Sequence, residues 1–203
     1  MKTLNTKLAL LAITFFTIAT NISCSKNDDP IVTPLPVVLA PLQDPLQGYL
    51  NASGFNQVTT LITNIVDGEF GYTFIPLVSG KITAVAVKIP DTNSALRVTI
   101  WDKGTGNVLR TETLNIAAAN VETIKAIQPL DLVKDKTYLI SMNTNDVVSH
   151  RKTDLSATVY PFVVGDIKIT NFYGPATSGT QQIMPSSFIS NAYYGDCSFK
   201  LQK

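Results

Sequence analysis

Short runs of alternating apolar and polar residues constrain the fold of this chain more than any other feature. In the run 69–77, Phe70, Tyr72 and Phe74 alternate with polar or small residues. Alternating side chains point to opposite faces of an extended strand, so this run predicts a strand with one buried face. Similar runs occupy residues 82–89, 96–101, 108–116, 121–127, 137–142, 159–164, 165–172 and 196–201.

Turn residues separate these runs, as Ser79-Gly80 and the segment 103–107 illustrate. We expect a connector at 128–136 and one helical turn at Ala117-Ala118-Ala119. No long segment has the 3.6-residue period of an amphipathic helix. Eight or more short strands with turns between them predict an all-β fold, specifically an antiparallel β-sandwich that is jelly-roll-like.

The first residues of the chain predict a signal peptide. Lys2 and Lys7 give a positive start, and residues 8–19 form a 12-residue, mostly apolar run. A helix needs about 20 apolar residues to cross a bilayer, so this run is too short to span one and has the length of a signal-peptide core. We therefore assign residues 1–23 to a signal peptide that is removed on export.

The residues around Cys24 predict a lipid anchor at the new N-terminus. Asn21-Ile22-Ser23-Cys24 resembles a bacterial lipobox, which implies that Cys24 becomes the N-terminus and carries a lipid anchor in a membrane. An ordinary signal peptide with an incidental cysteine is the alternative. The acidic stretch 25–29 resembles the signal that sends lipoproteins of the Bacteroidota to the outer face of the outer membrane. This resemblance implies an outer-membrane lipoprotein that faces the cell surface, with the periplasmic side as the alternative.

A proline-rich segment separates this signal from the predicted strands. It holds Pro30, Pro34, Pro36, Pro41 and Pro45, five of the 11 prolines in the chain. Prolines at this spacing forbid a helix and favour an extended polyproline-like conformation. We therefore expect a lipidated tether at 24–45 and one β-sandwich domain at 46–203.

The composition limits the class of function. Hydrophobic residues make up 45% of the chain and charged residues 15%, which excludes disorder of the whole chain. Once Lys2 and Lys7 leave with the signal peptide, 14 basic residues face 15 acidic ones. The basic residues are scattered singly, whereas nucleic-acid binding needs a basic stripe, so we exclude nucleic acid as a partner.

A resemblance to a known family is carried by turn and core residues of the middle region. These residues are Phe74-x-Pro76, Gly80-Lys81-Ile82-Thr83-Ala84-Val85, Val98-Thr99-Ile100-Trp101-Asp102, Gly106-Asn107-Val108-Leu109, Pro129-Leu130-Asp131-Leu132 and Thr137-Tyr138. They resemble a bacterial β-sandwich domain of unknown function that recurs in secreted proteins, often beside carbohydrate-related or fibronectin-like modules. The resemblance extends from about Tyr72 to the C-terminus. It implies the fold and no active site.

The sequence offers no catalytic constellation. His150 is the one histidine and lies in the polar segment 145–152, which we expect to be a solvated loop. With Cys24 acylated, Cys197 is left as a small buried hydrophobe, and one histidine with one thiol cannot form a zinc site. Paired carboxylates could still serve glycoside hydrolysis. The acidic residues available for it are Asp67, Glu69, Asp91, Asp102, Asp131, Asp146, Asp154, Asp166 and Asp196.

No cofactor is expected, apart from a structural calcium ion as a weaker candidate. Oxygen-bearing side chains lie two residues apart in Asp91-Thr92-Asn93 and in Asp67-Gly68-Glu69. Calcium prefers such oxygen ligands from loops. Turn formation is the simpler explanation of both patterns, because short polar side chains cap backbone groups in turns.

Aromatic residues near turns are the candidates for ligand binding. An aromatic ring offers an apolar face, and a tyrosine also carries a polar tip, so such residues suit recognition of sugars. The candidates are Trp101, Asp102, Tyr173, Tyr193 and Tyr194. For Trp101, packing of the ring over the hairpin is the alternative to ligand contact. The leading hypothesis is a non-catalytic glycan-binding module tethered to the membrane. The alternative is a structural or adhesive envelope protein that binds other proteins, and a hydrolase comes third.

Overall fold

Thirteen strands and one short helix make up the part of the chain that the computed structural model describes, residues 41–177 and 179–203. The helix is α1 (Leu46–Ser53). A seven-stranded sheet has the order β11 (Ser187–Ile189), β10 (Ile167–Thr177), β2 (Gly68–Pro76), β7 (Tyr138–Thr144), β4 (Asn93–Asp102) and β5 (Val108–Ile116), and β9 (Phe162–Val164) also pairs with β10. Three strands form a second sheet, β13 (Asp196–Gln202), β3 (Gly80–Lys88) and β6 (Thr123–Leu132). Three others form a third sheet, β1 (Val58–Ile62), β8 (Val147–Arg151) and β12 (Tyr193–Tyr194).

Every strand pairing within these sheets is antiparallel, so the predicted all-β antiparallel sandwich is confirmed. Tyr72 and Phe74 of β2 face the core together with Phe199 of β13, as the alternation predicts, but the other face of β2 is buried as well. The rings of Phe74 and Phe199 lie 4.6 Å apart between centroids and join the large sheet to the second sheet. Cys197 faces the same core as an unpaired thiol, as predicted, and burial raises its pKa.

Several parts of the secondary structure differ from the prediction. Residues 128–132, expected in a connector, belong to β6, and Ala117-Ala118-Ala119 form no helical turn. The strand β8 occupies a segment for which the sequence predicts a loop. Its sequence, Val-Val-Ser-His-Arg, lacks the alternation by which a strand is recognised, although all its side chains except that of Arg151 are buried.

Helix α1 has no counterpart among the predicted elements, because its eight residues span only about two turns and carry too little periodicity. It follows Pro45 and ends at Gly54, whose φ of 77° suits glycine. The inner side of the helix carries Tyr49 and Leu50. The ring of Tyr49 lies among those of Tyr193, Phe55, Tyr72, Tyr160 and Phe162.

The sandwich includes residues that the sequence pattern assigns to the tether. The backbone of Gln43 pairs with that of Leu201 through two hydrogen bonds, N to O at 2.9 Å and O to N at 2.8 Å. Pro45 is buried beside them. The predicted signal peptide 1–23, Cys24 and the rest of the tether to residue 40 lie outside the described residues. No helix in the described part of the chain is long and apolar enough to span a membrane.

We predict that Tyr49 is a main determinant of stability. Tyr49→Ala removes a fully buried ring and should lower the free energy of unfolding by about 3–5 kcal/mol. Tyr49→Phe keeps the ring and loses only the hydrogen bond to the Tyr160 hydroxyl, so it should cost about 1 kcal/mol. Urea denaturation followed by circular dichroism measures both values. Equal losses in the two variants would show that ring packing is not the dominant contribution.

Candidate functional site

Trp101 lies on the outer face of the large sheet but offers no open surface. Its side chain is 3% exposed, and its indole Nε1 donates a hydrogen bond of 2.9 Å to the Ser141 hydroxyl. Ser141 in turn donates to the Glu69 carboxylate at 2.7 Å. Trp101 therefore belongs to a buried polar network and not to an exposed platform for a ligand.

Residues 179–184, here called the strap, cross the same outer face. The guanidinium of Arg97 donates to the backbone oxygen of Thr180 at 2.7 Å. The Gln182 amide donates to the hydroxyls of Thr99 at 3.0 Å and Thr111 at 2.7 Å. These contacts fasten the strap to β4 and β5, on the side of the sheet where the sequence predicts that Trp101 meets a sugar.

Glu69 and Arg97 form an ion pair beneath the strap. The Arg97 Nη2 lies 2.6 Å from Glu69 Oε1, and the Glu69 side chain has no exposed surface. Burial raises the pKa of Glu69, while the hydrogen bonds from Arg97 and Ser141 lower it. Because this carboxylate already has partners within the protein, Glu69 is not available to a calcium ion.

Asp91 and Asn93, the predicted calcium ligands of the other pattern, are used in a turn. Asp91 accepts a hydrogen bond from the backbone N–H of Thr92 at 2.7 Å, and Asn93 accepts one from Ala95 at 2.9 Å. Across residues 41–177 and 179–203, no group of three or more histidine, cysteine or acidic side chains is placed to hold a metal ion.

Asp102 closes the turn between β4 and β5. Its carboxylate accepts hydrogen bonds from the backbone N–H groups of Gly104 at 2.9 Å and Thr105 at 3.2 Å. It also pairs with the Lys136 ammonium at 2.8 Å. The hydrogen bond from Lys136, followed by the two backbone bonds, lowers the pKa of Asp102. The residue therefore has a structural partner for each carboxylate oxygen.

The three predicted tyrosines lie in different places. Tyr173 is half-buried in β10 beneath the Lys103 ammonium, which lies 5.0 Å from the ring centroid. Tyr193 is 1% exposed, and its ring packs on Tyr49 and Phe172 in the core, so it has no surface to offer a ligand. Tyr194 follows on the opposite face of β12 and stacks with Arg151. The aromatic candidates thus do not converge on one site.

A polar cleft of about 320 Å³ lies instead between α1 and the outer face of the second sheet. Outward-facing residues of β13 alternate with the core residues Cys197 and Phe199 and supply polar side chains to the cleft. Helix α1 supplies Leu46 and Leu50 as an apolar wall. The polar lining consists of Asp44, Gln47, Lys88, Glu122, His150, Asp196 and Lys200.

His150 is at the edge of this cleft, and the prediction that it lies in a solvated loop is wrong. It occupies β8 and is 5% exposed, because its ring packs beside Tyr193. Its Nε2 lies 2.6 Å from Asp196 Oδ1, and the Lys88 ammonium lies 3.1 Å from the other oxygen of Asp196. The hydrogen bond that holds His150 joins two sheets, β8 to β13, which no local sequence pattern reveals.

Asp44 provides a second fixed carboxylate in the cleft. Its two oxygens accept hydrogen bonds from the Ser198 hydroxyl and the Lys200 ammonium of β13. The sequence pattern assigns Asp44 to the tether, and nothing in that pattern places it beside Lys200. The pairing of Gln43 with Leu201 brings it there.

A row of three polar side chains borders the cleft without presenting a nucleophile to it. Thr59, His150 and Asp196 stand in line, with the Thr59 hydroxyl 3.4 Å from Nδ1 of His150, in the order nucleophile, base and acid. The Thr59 hydroxyl is not part of the cleft lining, however, so a molecule in the cleft would not meet it. Three carboxylates line the cleft, of which Asp44 and Asp196 pair with lysines.

No family model matches the chain, and no curated protein matches it either. The resemblance to the β-sandwich domain of unknown function therefore stays a prediction.

We predict that Asp102 contributes to stability in a pH-dependent way. Its pKa is lowered in the folded protein from an ordinary value of 3.8, so its contribution is present above pH 3.8 and is lost as the pH falls through the lowered pKa. Asp102→Asn should therefore destabilise the protein near neutral pH, and the difference from wild type should shrink in acid. Urea denaturation from neutral pH down to about pH 3 measures this difference.

Asp131→Asn is the matched control, because Asp131 pairs with Lys81 at 3.4 Å on the exposed surface. It should change stability little at any pH. A loss in Asp102→Asn that is the same at every pH would contradict the role of the charged carboxylate.

Proposed function

We propose that this protein is a membrane-anchored, extracytoplasmic lipoprotein whose β-sandwich is a non-catalytic module that binds a glycan in the polar cleft. The observation that carries this proposal is the lining of the cleft. Fixed carboxylates, lysines and a glutamine surround a space next to two leucines. Concave sites that combine an apolar wall with a few positioned polar groups are typical of small-ligand binding.

The charges of the cleft favour an uncharged, hydroxyl-rich ligand. Asp44 pairs with Lys200 and Asp196 pairs with Lys88, and Glu122, which has no ion pair among the described residues, adds a carboxylate that disfavours an anionic ligand. A phosphate or another strong anion would have to compete with the carboxylates for the lysines. A sugar hydroxyl both donates and accepts hydrogen bonds, so it can use the remaining donors and acceptors without breaking the pairs.

The apolar wall and the size of the cleft support the same class of ligand. Leu46 and Leu50 give the C–H face of a sugar ring an apolar neighbour, while Gln47 offers an amide on the same helix. The volume of about 320 Å³ lies at the lower end of the range of about 300–1,000 Å³ usual for ligand sites. We therefore propose one or two sugar units as the bound portion.

The proposed location rests on the N-terminal segments. A lipid on Cys24 would tie the protein to a membrane without a spanning helix, and several acyl chains are needed for stable anchoring. The stretch 25–29 supports the outer membrane and the cell surface as the location. The prolines after Cys24 favour an extended tether between the lipid and the sandwich.

A structural or adhesive protein that binds other proteins is the second candidate function. An apolar pocket lined by Tyr194 and Phe70, separate from the cleft, favours this function. Apolar surface supports protein contacts more than sugar contacts. The two functions are compatible, since the two sites share no lining residue.

The purified full chain should bind selectively on a broad glycan array. The double variant Gln47→Ala/Glu122→Ala should lose most of this binding, because both side chains line the cleft and are exposed, so their removal should leave the fold intact. Loss of a hydrogen bond to the ligand at each position should weaken binding by roughly tenfold or more.

Gln128→Ala/Asp131→Ala is the control for that experiment, because both residues are exposed on β6 and lie outside the cleft lining. It should bind like wild type. Silence of the wild-type chain on the array, or equal binding by the two double variants, would remove the cleft as a glycan site.

Lipidation of Cys24 is tested by growing cells with an alkyne-labelled fatty acid. The wild-type chain should take up the label and sediment with membranes, and Cys24→Ala should do neither. Cys197→Ala is the matched control, because Cys197 is the other cysteine and is buried in the core. Label in Cys24→Ala, or a wild-type chain without label, would refute the anchor.

A further inference from the structure

An apolar pocket of about 350 Å³ opens beside the third sheet. Ile62, Ile65, Phe70 and Tyr194 line it, and Val66 at its rim is 74% exposed. Exposed apolar surface of this kind costs free energy in water unless something covers it.

The strand β1 leaves one edge free next to this pocket. It pairs with β8 alone, and among the described residues no strand pairs with its other edge. Its sequence, Val-Thr-Thr-Leu-Ile, has no charge and no proline. Edge strands are usually protected by lysine, proline or a bulge, because their free backbone groups can pair with another chain. This edge has none of these protections.

Arg151 gives the pocket a charge that nothing in the described residues neutralises. It is the one charged residue of the lining, and its Nη2 donates to the Tyr194 hydroxyl at 2.6 Å. No carboxylate of the described residues lies within 4.0 Å of it, and its buried Nε donates to no acceptor there. A guanidinium with vacant donors in an apolar setting favours a carboxylate as partner.

We infer that this surface binds an extended, acidic peptide segment of a partner protein, which adds as a strand to the free edge of β1. The peptide backbone pairs with β1, an apolar side chain enters the pocket beside Val66, and a carboxylate pairs with Arg151. Strand addition of this type takes affinity from backbone hydrogen bonds and specificity from pockets for alternate side chains.

Charge complementarity selects a partner protein over a second copy of this chain. A two-fold pairing of β1 with β1 of another copy would also cover the edge. The strand contains no acidic residue, however, so such a pair would bring no carboxylate to Arg151. The peptide surface and the cleft share no lining residue, so peptide binding is independent of the proposed glycan binding.

Selection of a random peptide library displayed on phage against the immobilised full chain tests the inference. Enriched peptides should alternate apolar residues and carry Asp or Glu. A synthetic copy of an enriched peptide should bind the chain in fluorescence polarisation, and replacing its acidic residue with the matching amide should weaken binding about tenfold.

Two variants locate the site. Val66→Asp puts a carboxylate at the exposed rim and should abolish binding of the acidic peptide, and Arg151→Gln should remove the preference for the acid over the amide. Gln47→Ala/Glu122→Ala, which alters the cleft, should bind the peptide like wild type. No enrichment, enrichment without acidic residues, or binding unaffected by Val66→Asp would overturn the inference. Concentration-dependent dimers that Val66→Asp dissolves would overturn it too, by assigning the surface to a second copy.

Discussion

The packing of Tyr49 into the aromatic core is the interaction on which the rest of this structure depends. The ring belongs to α1, and it touches residues of the large sheet, the third sheet and the segment before β9 at once. Because the ring is fully buried, it fixes the position of the helix against the sandwich. That position places Leu46, Gln47 and Leu50 at the wall of the cleft. The cleft is thus a consequence of core packing and not of a flexible loop.

The polar character of the cleft results from strand pleating. Along β13, Cys197 and Phe199 face the core, so Asp196 and Lys200 must face outward. Each outward charge then meets a partner from another element, Lys88 and His150 for Asp196, and Asp44 for Lys200. These pairs join β3, β8 and the segment before α1 to one strand, and they hold hydrogen-bonding groups in fixed directions. Preorganised groups of this kind reduce the entropy lost when a ligand binds.

Strands whose apolar residues alternate with polar or small ones are predictable from the sequence, whereas elements without such a period are not. Phe70, Tyr72 and Phe74 alternate, so the predicted strand agrees with β2 to within one residue at each end. The strand β8 begins with two adjacent valines and continues with polar residues, and α1 is short, so neither shows a period. The predicted ligand-binding residues are unavailable for a different reason. Trp101 and Tyr193 have the chemistry of ligand-binding residues, but the strap covers the face of the sheet that carries Trp101, and core packing occupies the ring of Tyr193. Both sets of contacts arise between segments far apart in the chain.

His150 provides the most direct test of the claim that the cleft binds the ligand, because it is the one histidine in the chain and gives a single, unambiguous pair of ring signals. The full chain, with isotope-labelled histidine, would be titrated with the glycan that binds best, and its ring resonances followed by NMR. We expect both resonances to shift in a saturable way, because the ring is part of the cleft lining and is held by Asp196. Saturable binding of the glycan with unchanged His150 signals would contradict the assignment of the cleft and place the site elsewhere.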